Sequence, residues 1–433
     1  MKLTRYKLVE LIDVRRGASL SGEYYATEGD LIRLTLGNFD YQGGGFKDNT
    51  SKNDLYFVGP VKQEFILSEG DIITPLTEQT PGLLGSTAQI PVSDKFIQSQ
   101  DVALIIPDET KLDKDFCYYL LPSKIVKQQL AAGAQQTKIR HTTPDRIKDL
   151  TVFIPALEDQ RSIGKLLKSI DRKIALNREI NRNLEAMARQ FYDYWFVQFD
   201  FPDENGRPYK SSGGKMVWNE KLKQEIPEDW TQTTIERYAN IQNGATPSTS
   251  DDANYGGDIV WITPKDLSEQ SQKFTFKGER FITTSGYSSC STTLLPKGTV
   301  LMSSRAPIGL LSIAAVELCT NQGFKSLVSK HTHEQRFLYY LVQQYLPYIK
   351  QLGSGTTFSE VSKDDLAKLK VLYVPTHIIE QWDSKIKSLF YRQELLLKEI
   401  ETLTKQREEL LPLLMNGQVS VIPQEVNCDL SHD

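Results

Sequence analysis

Asp30-Leu-Ile-Arg-Leu-Thr35 returns as Asp258-Ile-Val-Trp-Ile-Thr263, and that repetition decides the fold. Working outward, Leu8, Leu11, Val14, Gly17 and Ala18 return as Ile235, Tyr238, Ile241, Gly244 and Ala245. Leu67-Ser-Glu-Gly70-Asp-Ile-Ile returns as Leu295-Pro-Lys-Gly298-Thr-Val-Leu, and Ser99-Gln100 as Asn321-Gln322. Phe116-Cys-Tyr-Tyr-Leu120 returns as Phe337-Leu-Tyr-Tyr-Leu341, and Gly133 and Pro155 as Gly353 and Pro375. The order never changes and the spacing stays within roughly 220–228 residues, so the chain is two copies of one unit. The copies agree in framework residues and differ between them. One scaffold with two unlike surfaces implies an object that reads two different things.

The chain has 433 residues, enough for two or three domains with their own cores. Apolar and charged fractions are those of a globular protein. No run of ~18 apolar residues and no signal-peptide apolar region is present, so no membrane is expected. Cys117, Cys290, Cys319 and Cys428 are scattered, which favours a reducing cytoplasm and gives no zinc spacing. The net charge of -4 gives no global basic signal for nucleic acid, although the field a duplex feels is local.

Each copy has two parts. Residues 1–155 and 228–375 carry short β-prone runs between Gly, Pro, Asn and Asp, such as Phe65-Ile-Leu, Asp71-Ile-Ile, Val102-Ala-Leu-Ile-Ile and Thr299-Val-Leu-Met. A Tyr- and Leu-rich helix is predicted near 113–131 and near 334–351. The class is α+β: two similar β-rich globules with short helices, in an internal pseudo-two-fold repeat. After Pro155 and Pro375 the pattern turns heptad. One seam runs Ile163, Leu166, Ile170, Lys173, Asn177, Ile180, Leu184, Met187, Phe191. The other runs Ile386, Leu389, Gln393, Leu396, Ile400, Leu403, Arg407, Leu410, Leu414. Long helices over 156–198 and 376–417, roughly 60 Å each at 1.5 Å per residue, are predicted to pair as an antiparallel coiled coil. Polar interruptions at Lys173, Asn177, Gln393 and Arg407 set register at a cost in stability. Residues 199–227, with Pro, Gly, Ser and charge, read as a surface linker, and 418–433 as a tail.

No catalytic constellation stands out. Ser212-Gly-Gly-Lys215 lacks the first glycine of a phosphate loop, and Gly43-Gly-Gly45 opens no helix. Pro144-Asp145 with Asp171 and Lys173 matches a nuclease pattern loosely, but Thr143-Pro-Asp145 reads as a helix start and Asp171 lies mid-heptad. The five histidines, among them His331, His333 and His377, read as solvated surface, and no metal is expected.

Matched loops carry side chains suited to base edges. In copy one these are Thr35 and Asn38, then Thr77, Glu78, Gln79 and Ser86, then Gln100. In copy two they are Thr263, Lys265 and Asp266, then Ser304 and Arg305, then Gln322 and Lys325. Arg305 suits guanine, Gln suits adenine, Glu78 suits the cytosine amino group, and the lysines suit phosphate or guanine. The same Asn, Gln and Thr also serve to cap turns, and Gln100 and Gln322 recur where a base reader should differ. Arg305 and Glu78 have no like residue in the other copy, which favours a reading role for them.

Several of these strings resemble the specificity subunit of type I restriction-modification enzymes. In copy two they are Thr263-Pro-Lys-Asp-Leu267, the run from Leu295 to Ser303-Ser-Arg-Ala-Pro-Ile-Gly309, and Thr320-Asn-Gln-Gly-Phe324. In copy one they are Gly37-Asn-Phe39 and Thr77-Glu-Gln79. Ile226-Pro-Glu-Asp-Trp230 and Leu411-Pro-Leu-Leu-Met-Asn-Gly417 match the same style. Copy one departs from it at Pro75-Leu-Thr77 and Ser99-Gln-Asp101. The resemblance implies two target recognition domains, each reading half of a split DNA sequence, with helices that set the gap between the halves. It implies two methyltransferase subunits that carry S-adenosylmethionine, restriction-translocase subunits that use ATP and Mg, and a chain that is itself non-catalytic. The other readings left open are a two-headed coiled-coil scaffold that binds proteins and a duplicated DNA-binding regulator.

Overall fold

The repeat seen in the sequence is a repeat of topology. The computed structural model describes residues 1–40, 44–78, 82–133, 140–270, 272–353 and 360–421. The chain separates into two units, Met1–Leu176 with Glu401–Asp433, and Asn177–Ile400. In unit one Val102–Pro107 lies between Ile12–Arg16 and Ile72–Pro75, all antiparallel, and Ala88–Gln89 extends the sheet. In unit two Lys325–Ser329 lies between Ala239–Asn243 and Val300–Met302, and the sheet continues through Leu311–Ala314 to Phe274–Thr275. A second sheet in each unit contains one parallel pairing, Leu31–Arg33 with Phe96–Ile97 and Tyr255–Ile262 with Cys319–Thr320. In each, a further antiparallel pair ties the strand that opens the repeat to the strand that enters a long helix: Thr4–Lys7 with Thr151–Ile154, and Thr231–Thr234 with Lys370–Tyr373.

Val102-Ala-Leu-Ile is apolar at every position because its sheet is covered on both faces. Successive side chains point to opposite sides. Ala103 and Ile105 therefore join Leu11, Phe116, Ile163 and Leu167 in one core, while Val102 and Leu104 join Leu34, Phe39 and Ile73 in another.

Two expectations are corrected locally. Phe65-Ile-Leu is not a strand. The amides of Phe65 and Ile66 bond back to the carbonyls of Lys62 and Gln63, closing a tight turn. The single helix expected near 113–131 is two, Lys114–Leu120 and Lys124–Gly133, because Pro122 has no N–H to continue the ladder. Thr143 does cap a helix with Pro144 at its first position. The stretch 199–227 is held in place: the Phe201 ring stacks between Tyr209 and Trp230 at 4.8 and 5.0 Å, and Met216–Asn219 pairs with Gln224–Pro227.

The long helices are Leu157–Tyr192 and Thr376–Met415. They pair antiparallel in both units. In unit one Ile163 and Leu167 share a core with Leu414 and Met415, and Asp171 accepts a hydrogen bond from Arg407 at 2.8 Å. In unit two Asn177 meets Glu399 at 2.9 Å and Gln393 meets Glu185 at 3.0 Å. Asn177, Gln393 and Arg407 are each thus met from the other helix. Of the apolar seam residues, Ile163, Ile386, Leu396, Ile400 and Leu414 are buried, and Leu166, Ile170, Ile180, Leu184, Leu389, Leu403 and Leu410 are half-buried. The buried stripe leaves the heptad line at its far end, where Met187 and Phe191 are exposed and Ala188 and Tyr192 are buried. At 3.6 residues per turn, eight turns from Ile163 reach about residue 192, not the 191 of a strict 3.5 repeat.

Candidate nucleic-acid interface

One crossing is built the same way in both units. A Cβ on Gly17 would lie 2.3 Å from the Ser99 carbonyl oxygen, and one on Gly244 would lie 2.2 Å from those of Asn321 and Thr320. Only glycine permits that approach. Ala18 and Ala245 then donate to the carbonyls of Gln98 and Thr320. Gln100 and Gln322 stand exposed beside the crossing, and Thr246 donates to the Gln322 amide oxygen. Gly244→Ala should cost about 1–3 kcal/mol as an overpacked site. Thermal melting checks this, and an unchanged melt would mean the crossing is loose.

A second framework element also recurs. The Thr35 amide donates to Asn38 Oδ1 at 2.9 Å, and the Thr263 amide donates to Asp266 Oδ2 at 2.7 Å. Asn38 and Asp266 are both buried. Each is a cap closing a short turn, so the polar atoms of these residues are largely spent inside the protein. Thr35 still lines a polar cavity of about 410 Å³ with Gln100, Arg33, Lys52 and Asp101. Arg33 is held over the Tyr25 ring at 3.8 Å and bonds Asp54. Lys265 is exposed and ion-paired with Glu279 at 2.9 Å.

Around Glu78 the chain folds back on a carboxylate. Glu78 is 3% exposed, and one of its oxygens accepts from the amides of Gly82, Leu83 and Leu84 at 2.9–3.0 Å. Its other oxygen faces Arg140 at 3.5 Å, across the antiparallel pairing of Thr77–Glu78 with Arg140–His141. Ser86 lies half-buried nearby, its carbonyl accepting from Thr74. Gln79 lies outside the described residues.

Unit two places Arg305 opposite Glu360 in the same kind of antiparallel bridge. Glu360 Oε2 accepts from Arg305 at 3.0 Å and its Oε1 from Lys325 Nζ at 3.1 Å. Burial would raise the Glu360 carboxyl, but the bonds from Lys325 and Arg305 outweigh it and hold the group below its usual range. Ser304 is buried, its amide and carbonyl bonded to Gly323 and Val361. Gly323 packs close to Pro264 and accepts from the Ser304 amide, so Thr263–Asp266, Ser304–Arg305 and Gln322–Lys325 lie side by side. Each unit therefore has an acid facing a base across this pairing, with the order reversed. The sequence reading missed Arg140 and Glu360. The available signal was the compensated swap: Glu78 with Arg140, and Arg305 with Glu360, near the repeat spacing.

Among the described residues no cluster of His, Cys, Asp and Glu is arranged to hold a metal ion. Among them, no helix is long and apolar enough to cross a membrane.

A duplicated α+β globule on paired long helices defines a class, and comparison with known proteins identifies it. Residues 4–186 and 227–405 match the family described as "Type I restriction modification DNA specificity domain", and the chain belongs to that family. It is 38% identical to the MjaIX specificity subunit of Methanocaldococcus jannaschii over 165 residues, 37% of this chain and 38% of that protein. It is 25% identical to the HindI specificity subunit of Haemophilus influenzae over 378 residues, 75% of this chain and 82% of that one. In fold it resembles the S subunit of a type I restriction-modification system from M. genitalium, with a TM-score of 0.62, 17% identity and 96% of each chain covered.

Proposed function

We propose that this chain is the DNA-reading subunit of a type I restriction-modification complex. Each unit reads one half of a split target, and the chain directs methyltransferase and restriction subunits to it. The observation that supports this most is the combination of a repeated frame with unlike faces. The glycine crossing and the Thr-capped turn recur, while Glu78 with Arg140 stands in one unit and Arg305 with Glu360 in the other. The chain itself is non-catalytic. S-adenosylmethionine, ATP and Mg belong to the partner subunits, and the complex works in the cytoplasm. The test is to sequence native DNA for methylated bases with and without this gene, and then with residues 1–150 exchanged for those of a relative. The expected result is a split motif that vanishes with the gene and changes in one half only on exchange. Change in both halves would refute independent reading, and methyl transfer by the isolated chain would refute the non-catalytic role.

A further inference from the structure

Among the described residues, Glu360 is the one acid placed on two candidate DNA-binding cations at once. Its backbone is fixed, because the neighbouring Val361 amide donates to the Ser304 carbonyl at 2.9 Å. Its side chain is 32% exposed and spans Arg305, 50% exposed, and Lys325, 9% exposed. Two oxygens on two cations near 3 Å is also how a DNA phosphate would engage the same pair.

We propose that Glu360 is a specificity determinant of unit two, an internal rival that keeps Arg305 and Lys325 from taking phosphates of unmatched DNA. This rests on the proposed reading of DNA. The Arg305 contact is open enough to solvent to exchange, since exposed ion pairs contribute little each. On an unmatched duplex the acid stays in place and repels the backbone. On a matched half-site, contacts elsewhere in the unit hold the DNA close, and the acid swings aside. Selectivity thus comes from a repulsive element as well as attractive ones. At the matching bridge of unit one the acid, Glu78, is instead buried and tied to three backbone amides.

The test titrates the full chain, as wild type, Glu360→Gln and Glu360→Asp, against two labelled duplexes of equal length. One carries the motif found methylated in vivo; the other is scrambled. Glu360→Gln should bind the scrambled duplex on the order of tenfold more tightly, with a salt slope steeper by about one to two, at ~0.9 per phosphate neutralised. The matched duplex should gain less, so the ratio between them narrows. Glu360→Asp keeps the charge but is too short to span both cations, and should shift binding in the same direction by less. It serves as the second variant should the amide fail to fold. A purely structural role predicts equal or weaker binding, because Lys325 would be left buried without its acid. No rise with the scrambled duplex in either folded variant overturns the proposal. Wild-type protein that binds neither duplex at low salt would instead overturn the DNA reading, and this inference with it.

Discussion

Glu185→Ala should lower the stability of unit two by about 3–5 kcal/mol, the cost of leaving a buried charge without its partner. Lys273 has a side chain 7% exposed, and all three of its donors are engaged: by Glu185 at 2.6 Å, the Tyr340 hydroxyl at 2.8 Å and Gln393 at 3.1 Å. The Phe390 ring lies 3.5 Å beneath the ammonium. Lys273 precedes the edge strand Phe274–Thr275, so this knot ties the sheet to both helices of the unit. Glu185 is 33% exposed, and screening places the loss toward the lower end. Adding Lys273→Met to Glu185→Ala should recover most of it, since no charge then remains buried. Burial brings Lys273 down to about 8, against an ordinary lysine near ~10.4. Between those values the unfolded chain holds a proton that the folded chain has released, so stability rises with pH there. The penalty is complete below pH 8. Above about pH 10 buried Tyr192, Tyr339 and Tyr340 act oppositely, because burial raises them and the unfolded tyrosines ionise first. Melting at pH 8, 9 and 10 should therefore show a rise that Lys273→Met abolishes. A flat wild-type profile would mean that Lys273 is solvated.

The sequence carries the architecture because duplication and periodicity are both written in the order of residues. A β-run flanked by Gly and Asp stays recognisable when it recurs about 228 positions later, and a three-four spacing requires a helix face. Fine register is not written there. Whether Phe191 or Tyr192 faces inward depends on the accumulated difference between 3.5 and 3.6 residues per turn over some eight turns. The aromatic cluster of unit two then favours Tyr192, whose ring lies 5.1 Å from Phe196 and 5.3 Å from Tyr340, and whose hydroxyl bonds Gln344. Tyr340 and Gln344 are distant in sequence, and a heptad count does not include them.

The turns that carry the candidate residues were legible in the sequence, but the state of each side chain was not. Loop position and residue type pointed to Thr35, Asn38, Thr263 and Asp266, and the structure puts them at the expected turns. What composition could not reveal is that the Asn38 amide oxygen and one Asp266 carboxylate oxygen are already bonded three residues back, by Thr35 and Thr263. For Arg305 the absence of a second arginine at the matching place suggested function. The structure adds a feature that single positions hide: the pair, not the residue, is what recurs. An ion pair closes a bridge equally well in either order, so duplication followed by compensated exchange leaves no single conserved position.

Glu78→Ala should cost about 3 kcal/mol, more than any surface loop substitution, because buried donors lose their only good acceptor. The amides of Gly82, Leu83 and Leu84 converge on one carboxylate oxygen, and Arg140 faces the other. With the side chain gone, the amides must reach water by opening the turn, and the Thr77–Glu78 pairing with Arg140–His141 loosens with it. Glu78→Gln separates this role from base reading. Its amide oxygen still accepts from the turn, so stability should fall by less than half as much as in Glu78→Ala. A carboxylate reading cytosine accepts from the base's amino group. Rotated to present its –NH₂ there, the amide would become a donor and favour a different base. The geometry predicts that Glu78→Gln leaves both halves of the methylated motif unchanged, because a base edge would have to displace three backbone N–H groups to reach the buried oxygen. Sequencing of methylated DNA from cells carrying each variant decides the matter. A base change at one position of one half-site, with the melt of Glu78→Gln near wild type, would show that this oxygen leaves its turn to read DNA.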